Sequence, residues 1–105
     1  MTIIIAKAIY PSHKQVEFVK TYIKLQGKYN MSPVEKKNIG GVKVTENGFQ
    51  IINVWDIKEG KTDEALEIIG KMHYEFINIE GLEFDIDVIY SGEEALKIAG
   101  VNLPG

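Results

Sequence analysis

The chain has 105 residues, of which 45% are hydrophobic and 26% are charged, so we expect one folded domain over residues 1–105. The formal net charge is −3 and all 12 basic residues are lysine, which argues against a nucleic-acid-binding protein. The absence of cysteine excludes disulfide bonds, thiol catalysis and thiolate metal ligands.

Residues 2–10 predict a first strand, because apolar side chains alternate onto both of its faces. Such a strand is expected at the centre of a sheet. Ser12 and Gln15 have the spacing of a capping box, and they predict a helix that ends before Gly27. The apolar stripe of this helix consists of Val16, Val19 and Ile23, widened by Phe18, Tyr22 and Leu25.

Residues 27–38 show no regular hydrophobic period and include Pro33, so the sequence predicts a loop. This loop has two interpretations, a simple connector or a lid over a pocket. Residues 41–45 and 49–57 then predict two strands joined by a hairpin at Glu46-Asn47-Gly48, because Asn-Gly favours tight turns. The second of these strands is again apolar on both faces and is expected to be central.

After Gly60, Thr62 or Asp63 is expected to cap a helix that continues to about Ile79 and is closed by Gly81. One side of this helix is predicted to face the core, and the opposite side is charged. The core-facing residues are Ala65, Leu66, Ile69, Met72, His73 and Phe76, and the charged ones are Glu64, Glu67, Lys71 and Glu75.

Residues 82–90 alternate between apolar and acidic side chains, which is typical of an edge strand with one solvent-facing side. Its acidic residues Glu83, Asp85 and Asp87 are about 7 Å apart in succession, too far to converge easily on one cation. We therefore predict a solvated face and no metal site. Ser91 and Glu94 form a second capping box that opens a short helix, followed by a loose tail over residues 100–105.

The order strand, helix, strand, strand, helix, strand predicts an α+β, ferredoxin-like fold with a four-stranded antiparallel sheet and two helices on one face. The other face would expose Ile3, Ile5 and Ile9, and exposed apolar patches of this kind usually mark an interface. We expect a homodimer in which two open sheet faces meet. The alternative is a monomer whose C-terminal helix covers the sheet.

Val54-Trp55-Asp56 at the end of the third strand, followed by His73 within a helix, resembles the dimeric α/β-barrel group of proteins. That group includes antibiotic-biosynthesis monooxygenases, haem-degrading monooxygenases and stress-responsive barrel proteins. The resemblance implies a dimeric barrel and an activity on a small aromatic substrate or on haem.

His73 is the first candidate site residue, because an imidazole within an apolar stripe needs a hydrogen-bond partner or a ligand. Its functional interpretation is a haem or metal ligand, or a proton donor, in the cleft between helix and sheet. The structural interpretation is a core histidine bonded to a carbonyl or to a tyrosine hydroxyl. Tyr10 and Tyr22 are its candidate neighbours.

Asn53 and Trp55 share one face of a central strand, where a buried amide must be satisfied. If that face is the open one, Lys7 shares it, and the three residues line a polar pocket inside the barrel. This pocket would lie on the opposite side of the sheet from the His73 cleft. In the structural alternative, Lys7 instead pairs across strands with Asp85 or Asp87.

The sequence therefore favours a small dimeric protein that binds a small ligand or serves association. The alternative is a monooxygenase-like enzyme that acts on a small aromatic substrate or haem in the helix–sheet cleft. No specific motif identifies haem or any other cofactor. Apolar runs of only a few residues predict no membrane span, and the N-terminal residues show no secretory signal, so we expect a cytoplasmic protein without nucleic-acid or membrane partners.

Overall fold

The computed structural model describes residues 2–100, which form one four-stranded antiparallel sheet in the order β2-β3-β1-β4. In chain order the elements are β1 (Thr2–Tyr10), a 3-10 turn (Ser12–Lys14), α1 (Gln15–Leu25), β2 (Val34–Thr45), β3 (Gly48–Ile57), α2 (Thr62–Tyr74), β4 (Glu83–Ile89) and α3 (Gly92–Ile98). The α+β, ferredoxin-like fold is confirmed. The two strands with apolar residues on both faces, β1 and β3, are the central ones.

The two faces of β1 have different surroundings. Residues Thr2, Ile4, Ala6, Ala8 and Tyr10 are buried on the face that carries the helices. Ile3, Ile5, Lys7 and Ile9 are half-buried on the opposite face, which we call the open face. The shortest dimension of the chain is 20 Å, about the thickness of one sheet and one helix layer.

The start of α1 differs from the sequence prediction. The expected capping box between Ser12 and Gln15 does not form, and the chain enters the helix through a 3-10 turn after Pro11. The side chain of Gln15 instead accepts a hydrogen bond from the hydroxyl of Tyr10. A buried tyrosine at the end of β1, five residues earlier, thus binds the side chain that the capping box would need.

The buried face of α1 is also rotated from the predicted stripe. Phe18 and Leu25 are buried, whereas Val16 and Ile23 are 65% and 63% exposed. Phe18 stacks between Tyr10, with ring centroids 4.3 Å apart, and Phe76, at 4.7 Å. This aromatic packing orients the helix, because large rings bury more area than valine or isoleucine side chains at neighbouring positions.

The predicted loop over residues 27–38 is wrong in its second half, where β2 already begins at Val34. Two irregularities interrupt its pairing with β3, between Val34 and Lys36 and between Lys37 and Ile39. Such bulges break the alternation of side chains, so the sequence shows no strand period there.

The predicted hairpin between β2 and β3 is confirmed at Glu46-Asn47-Gly48. Gly48 has φ +133°, and a Cβ atom there would overlap the backbone of Tyr10. Only glycine meets both conditions without strain.

The second helix, α2, has the predicted core-facing side but ends at Tyr74 rather than near Ile79. The chain continues in turns in which the amides of Phe76 and Ile79 bond three residues back, to His73 and Phe76. These turns bring Phe76 and Ile79 into a cluster with Tyr10, and all three are buried.

The capping box between Ser91 and Glu94 forms as predicted and opens α3. Apart from Gly100, the expected tail lies outside the described residues. None of the helices within residues 2–100 has the length and apolar composition needed to cross a bilayer.

Candidate functional site

A cavity of about 380 Å³ lies between α1, α2 and the helix-bearing face of the sheet. We call it the helix–sheet cleft. Its floor includes Ala8 on β1 and Ile51, Asn53 and Trp55 on β3. Phe18 and Phe76 form part of the wall. The volume is near the lower end of the range for small-molecule pockets and suits one or two fused aromatic rings.

His73 lines the helix–sheet cleft from α2. Its Nδ1 atom lies 2.9 Å from the carbonyl oxygen of Ile69, and its ring lies 5.3 Å from that of Phe84. Burial lowers the pKa of His73 below the ordinary value of 6.5, against the smaller opposing effect of the bond to Ile69. The imidazole is therefore neutral at pH 7, with a proton on Nδ1 and a lone pair on Nε2.

Asn53 contributes an amide to the same cleft. It is half-buried, and its side chain has no hydrogen-bond partner within residues 2–100. Across the ladder it faces Gly40, and its Oδ1 atom would lie 3.3 Å from a Cβ atom at that glycine. Asn53 thus presents both a donor and an acceptor to a molecule in the cleft.

Tyr10 and Tyr22 also line the cleft, but their environments differ. Tyr10 is 1% exposed, burial raises the pKa of its hydroxyl, and that hydroxyl already donates to Gln15. Tyr22 is 50% exposed on α1 and lies at the rim. Tyr10 therefore forms part of the cleft wall, whereas the ring of Tyr22 is accessible to a ligand.

Lys7 does not join this site, and the predicted pocket of Lys7, Asn53 and Trp55 is wrong. The register pairs Ala6 with Asn53 and Ile4 with Trp55, which places both β3 side chains on the helix-bearing face. Lys7 pairs with Ile52 and lies on the open face, opposite Asp85.

The expectation that Asn53 and Trp55 lie on the opposite side of the sheet from His73 is wrong for the same reason. All three residues line one cleft. Lys7 is directly opposite Asp85, as the structural alternative expected, but no ion pair within 4.0 Å joins these two described residues.

Lys37 is a cleft residue that the sequence did not reveal. It lies on β2, opposite Trp55 and next to the second bulge. The lid interpretation of residues 27–38 was the only signal that pointed to this segment. The bulges that direct Lys37 towards the cleft have no recognisable sequence pattern.

Haem fits this site poorly. The Nε2 atom of His73 suits an axial ligand, but the cleft has room for a smaller molecule, and Lys37 is the one lysine among its lining residues. Within residues 2–100, no three His, Asp or Glu side chains cluster in a way that would hold a metal ion. We therefore derive no chemistry through haem or a metal.

Two solved structures share this fold over most of the chain. A candidate antibiotic biosynthesis monooxygenase from Deinococcus radiodurans superposes with a TM-score of 0.64 at 11% identity, covering 100% of both chains. A dimeric ferredoxin-like protein from an uncultured marine organism superposes with a TM-score of 0.60 at 12% identity, over 87% of this chain and 94% of the other. No protein-family model and no curated protein matches the sequence. The chain thus has the ferredoxin-like fold of these two proteins, in agreement with the resemblance seen in the sequence.

Proposed function

We propose that this protein binds a small aromatic molecule in the helix–sheet cleft. The observation that carries the proposal is the combination, in one largely apolar cavity, of the neutral imidazole of His73 and the amide of Asn53, which has no partner among the described residues. Apolar pockets with a few convergent polar groups are the usual form of small-molecule sites. Trp55 and Phe76 supply aromatic surface in the same cavity.

The polar groups define what the ligand must offer. The Nε2 lone pair of His73 accepts a hydrogen bond, so it suits a hydroxyl on the ligand. Asn53 can donate to a ligand oxygen or accept from a ligand proton. A flat ring system with one or two oxygen substituents satisfies both residues and fills the apolar volume.

Isothermal titration calorimetry with 2-naphthol tests this function. We expect saturable binding to the wild type, and binding weakened at least about tenfold in His73→Leu and in Asn53→Leu, since each loses a buried hydrogen bond. The matched control is His13→Leu, because His13 is exposed outside the cleft. Binding that is absent in the wild type, or unchanged in both cleft variants, would contradict the proposal.

The second candidate function is a cofactor-free oxygenase that acts on a phenolic substrate, and the state of His73 favours it. A neutral imidazole with Nε2 available can accept the phenolic proton as a general base, which leaves an electron-rich phenolate to reduce dioxygen. With 1-naphthol the balanced reaction consumes one dioxygen and gives 1,4-naphthoquinone and water, since one oxygen atom enters the ring and the other leaves as water with two hydrogens from the substrate. Oxygen consumption above the spontaneous rate, lost in His73→Leu, supports an enzyme, whereas no increase supports a binding protein.

We also propose that the protein forms a homodimer through its open sheet face. The centre of that face is mainly apolar, with Ile3, Ile5, Ile9, Ile52 and Val54, and Lys7 lies among them opposite Asp85. Its two edges carry opposite charges, Lys36 and Lys43 on β2 and Glu83, Asp85 and Asp87 on β4. A two-fold axis parallel to the strands would place β2 of one protomer opposite β4 of its partner, which pairs these charges and covers the apolar centre.

A further inference from the structure

We infer that the ligand of the helix–sheet cleft is anionic and that Lys37 is the residue that selects for its charge. This inference rests on the proposed binding function and specifies its ligand class. Among residues 2–100, those that line the cleft include no aspartate and no glutamate, although the chain has 15 Asp and Glu residues and a net charge of −3. With His73 neutral, Lys37 supplies the formal charge of this cavity.

The backbone of β2 directs Lys37 to this position. Lys37 pairs with the buried Trp55, and the irregularity after it resumes the ladder at Ile39. Its side chain then passes over Gly40: a Cβ atom there would lie 2.5 Å from Cε and 2.9 Å from Nζ of Lys37. Glycine at position 40 therefore leaves the space that the lysine side chain occupies.

The ammonium group of Lys37 and the amide of Asn53 converge on one place. Both Nζ of Lys37 and Oδ1 of Asn53 lie within 3.3 Å of the position that a Cβ atom at Gly40 would take. A carboxylate or phenolate bound there would meet a cation and an amide that can donate to it. This pair forms one polar corner in an otherwise largely apolar cavity.

Lys37 has no carboxylate partner within the described residues. Asp56, near it on β3, accepts a hydrogen bond from Asn38 at 2.6 Å. Glu75, directly after α2, accepts a hydrogen bond from Lys28 at 2.8 Å. Within residues 2–100 no carboxylate thus neutralises Lys37, which is exposed at the edge of the cleft and free to pair with an anion bound there.

Calorimetric titration of the full chain with 2-naphthoate and 2-naphthamide tests this inference, since the two probes have the same ring and nearly the same shape but differ in charge. We expect the wild type to bind 2-naphthoate at least about tenfold more tightly. In Lys37→Gln this preference should disappear while the affinity for 2-naphthamide is retained. The matched control is Lys20→Gln, which removes the same charge from an exposed residue of α1 outside the cleft.

The outcomes separate the two proposals. Equal affinity of the wild type for the two probes, or a preference that survives in Lys37→Gln, would overturn the role of Lys37 and leave the binding function standing. A preference lost equally in Lys20→Gln would also overturn it, because the effect would then reflect net charge alone. If neither probe binds the wild type, the binding function fails and this inference fails with it.

Discussion

The Nδ1 atom of His73 and the carbonyl oxygen of Ile69, one turn earlier on α2, lie 2.9 Å apart. Because a carbonyl oxygen can only accept, Nδ1 must carry the proton, and Nε2 becomes the acceptor. Ile69 is fully buried in the core, so the position of this carbonyl is fixed by packing. The tautomer of the cleft histidine is therefore set by the helix that carries it.

The lowered pKa of His73 predicts a specific dependence of stability on pH. The unfolded chain binds a proton at the ordinary pKa of 6.5, whereas the folded chain binds it only at lower pH. The contribution of His73 to the free energy of unfolding should thus be fully present above pH 6.5. It should decrease as the pH falls below that value, by at most about 1.4 kcal/mol per pH unit.

Urea denaturation of His73→Gln across this range measures the effect, with exposed His13→Gln as the matched control. The slope just below pH 6.5 should be smaller in His73→Gln than in the wild type. If only the His13 variant reduces the slope, burial of His73 is not its cause.

Gly40→Ala should alter ligand selection without unfolding the protein. The added methyl group would contact mainly the flexible end of Lys37, so the ammonium is displaced from its corner near Asn53. We expect the preference for 2-naphthoate over 2-naphthamide to fall, with the thermal midpoint little changed. Gly41→Ala is the matched control, because a Cβ atom there has no neighbour within 4 Å. A preference unchanged in Gly40→Ala would contradict this geometry.

The orientation of α1 can be tested by two truncations on the same helix. Phe18→Ala removes a ring stacked between two others and should lower the free energy of unfolding by about 3–5 kcal/mol. Ile23→Ala removes an exposed side chain and should change it by less than about 0.5 kcal/mol. Chemical denaturation of both variants measures the two losses in free energy of unfolding. A larger loss in Ile23→Ala than in Phe18→Ala would show that the helix packs its predicted stripe against the core.

The proposed dimer predicts that Ile5→Lys dissociates it, because a second cation close to Lys7 would replace an apolar side chain at the centre of the open face. Light scattering coupled to size-exclusion chromatography should give a dimer for the wild type and a monomer for this variant. The control Ile23→Lys places the same charge on the exposed side of α1 and should remain dimeric. A wild-type monomer would refute the arrangement.

The charged edges of the open face make a separate prediction. Lys43→Glu should weaken the dimer, since it opposes the acidic residues of β4 across the proposed interface. High salt should weaken the wild-type dimer in the same direction, because it screens exposed charge pairs. Dilution series in low and high salt measure both effects. If the dimer is equally stable under all these conditions, the contact between the two subunits lies elsewhere on the protein.

Some features of the fold followed directly from local patterns in the sequence. The hairpin at Asn47-Gly48 and the capping box at Ser91 were predictable, because their turn and cap chemistry involves neighbours within a few residues. The core-facing side of α2 was predictable from its helical period. The loop assigned to residues 27–38 was wrong because a bulged strand has no regular side-chain period. The capping box at Ser12 was wrong because the buried hydroxyl of Tyr10 binds the side chain of Gln15.

The sequence by itself determined the order of the elements, the ferredoxin-like topology and the presence of His73 on an apolar helix face, since these depend on periodicity and local chemistry. Only the tertiary structure decided which candidate residues meet. The strand register placed Asn53 and Trp55 beneath the helices with His73 and sent Lys7 to the other side of the sheet. A shift of one residue in that register reverses every side chain, and register depends on pairing between distant strands.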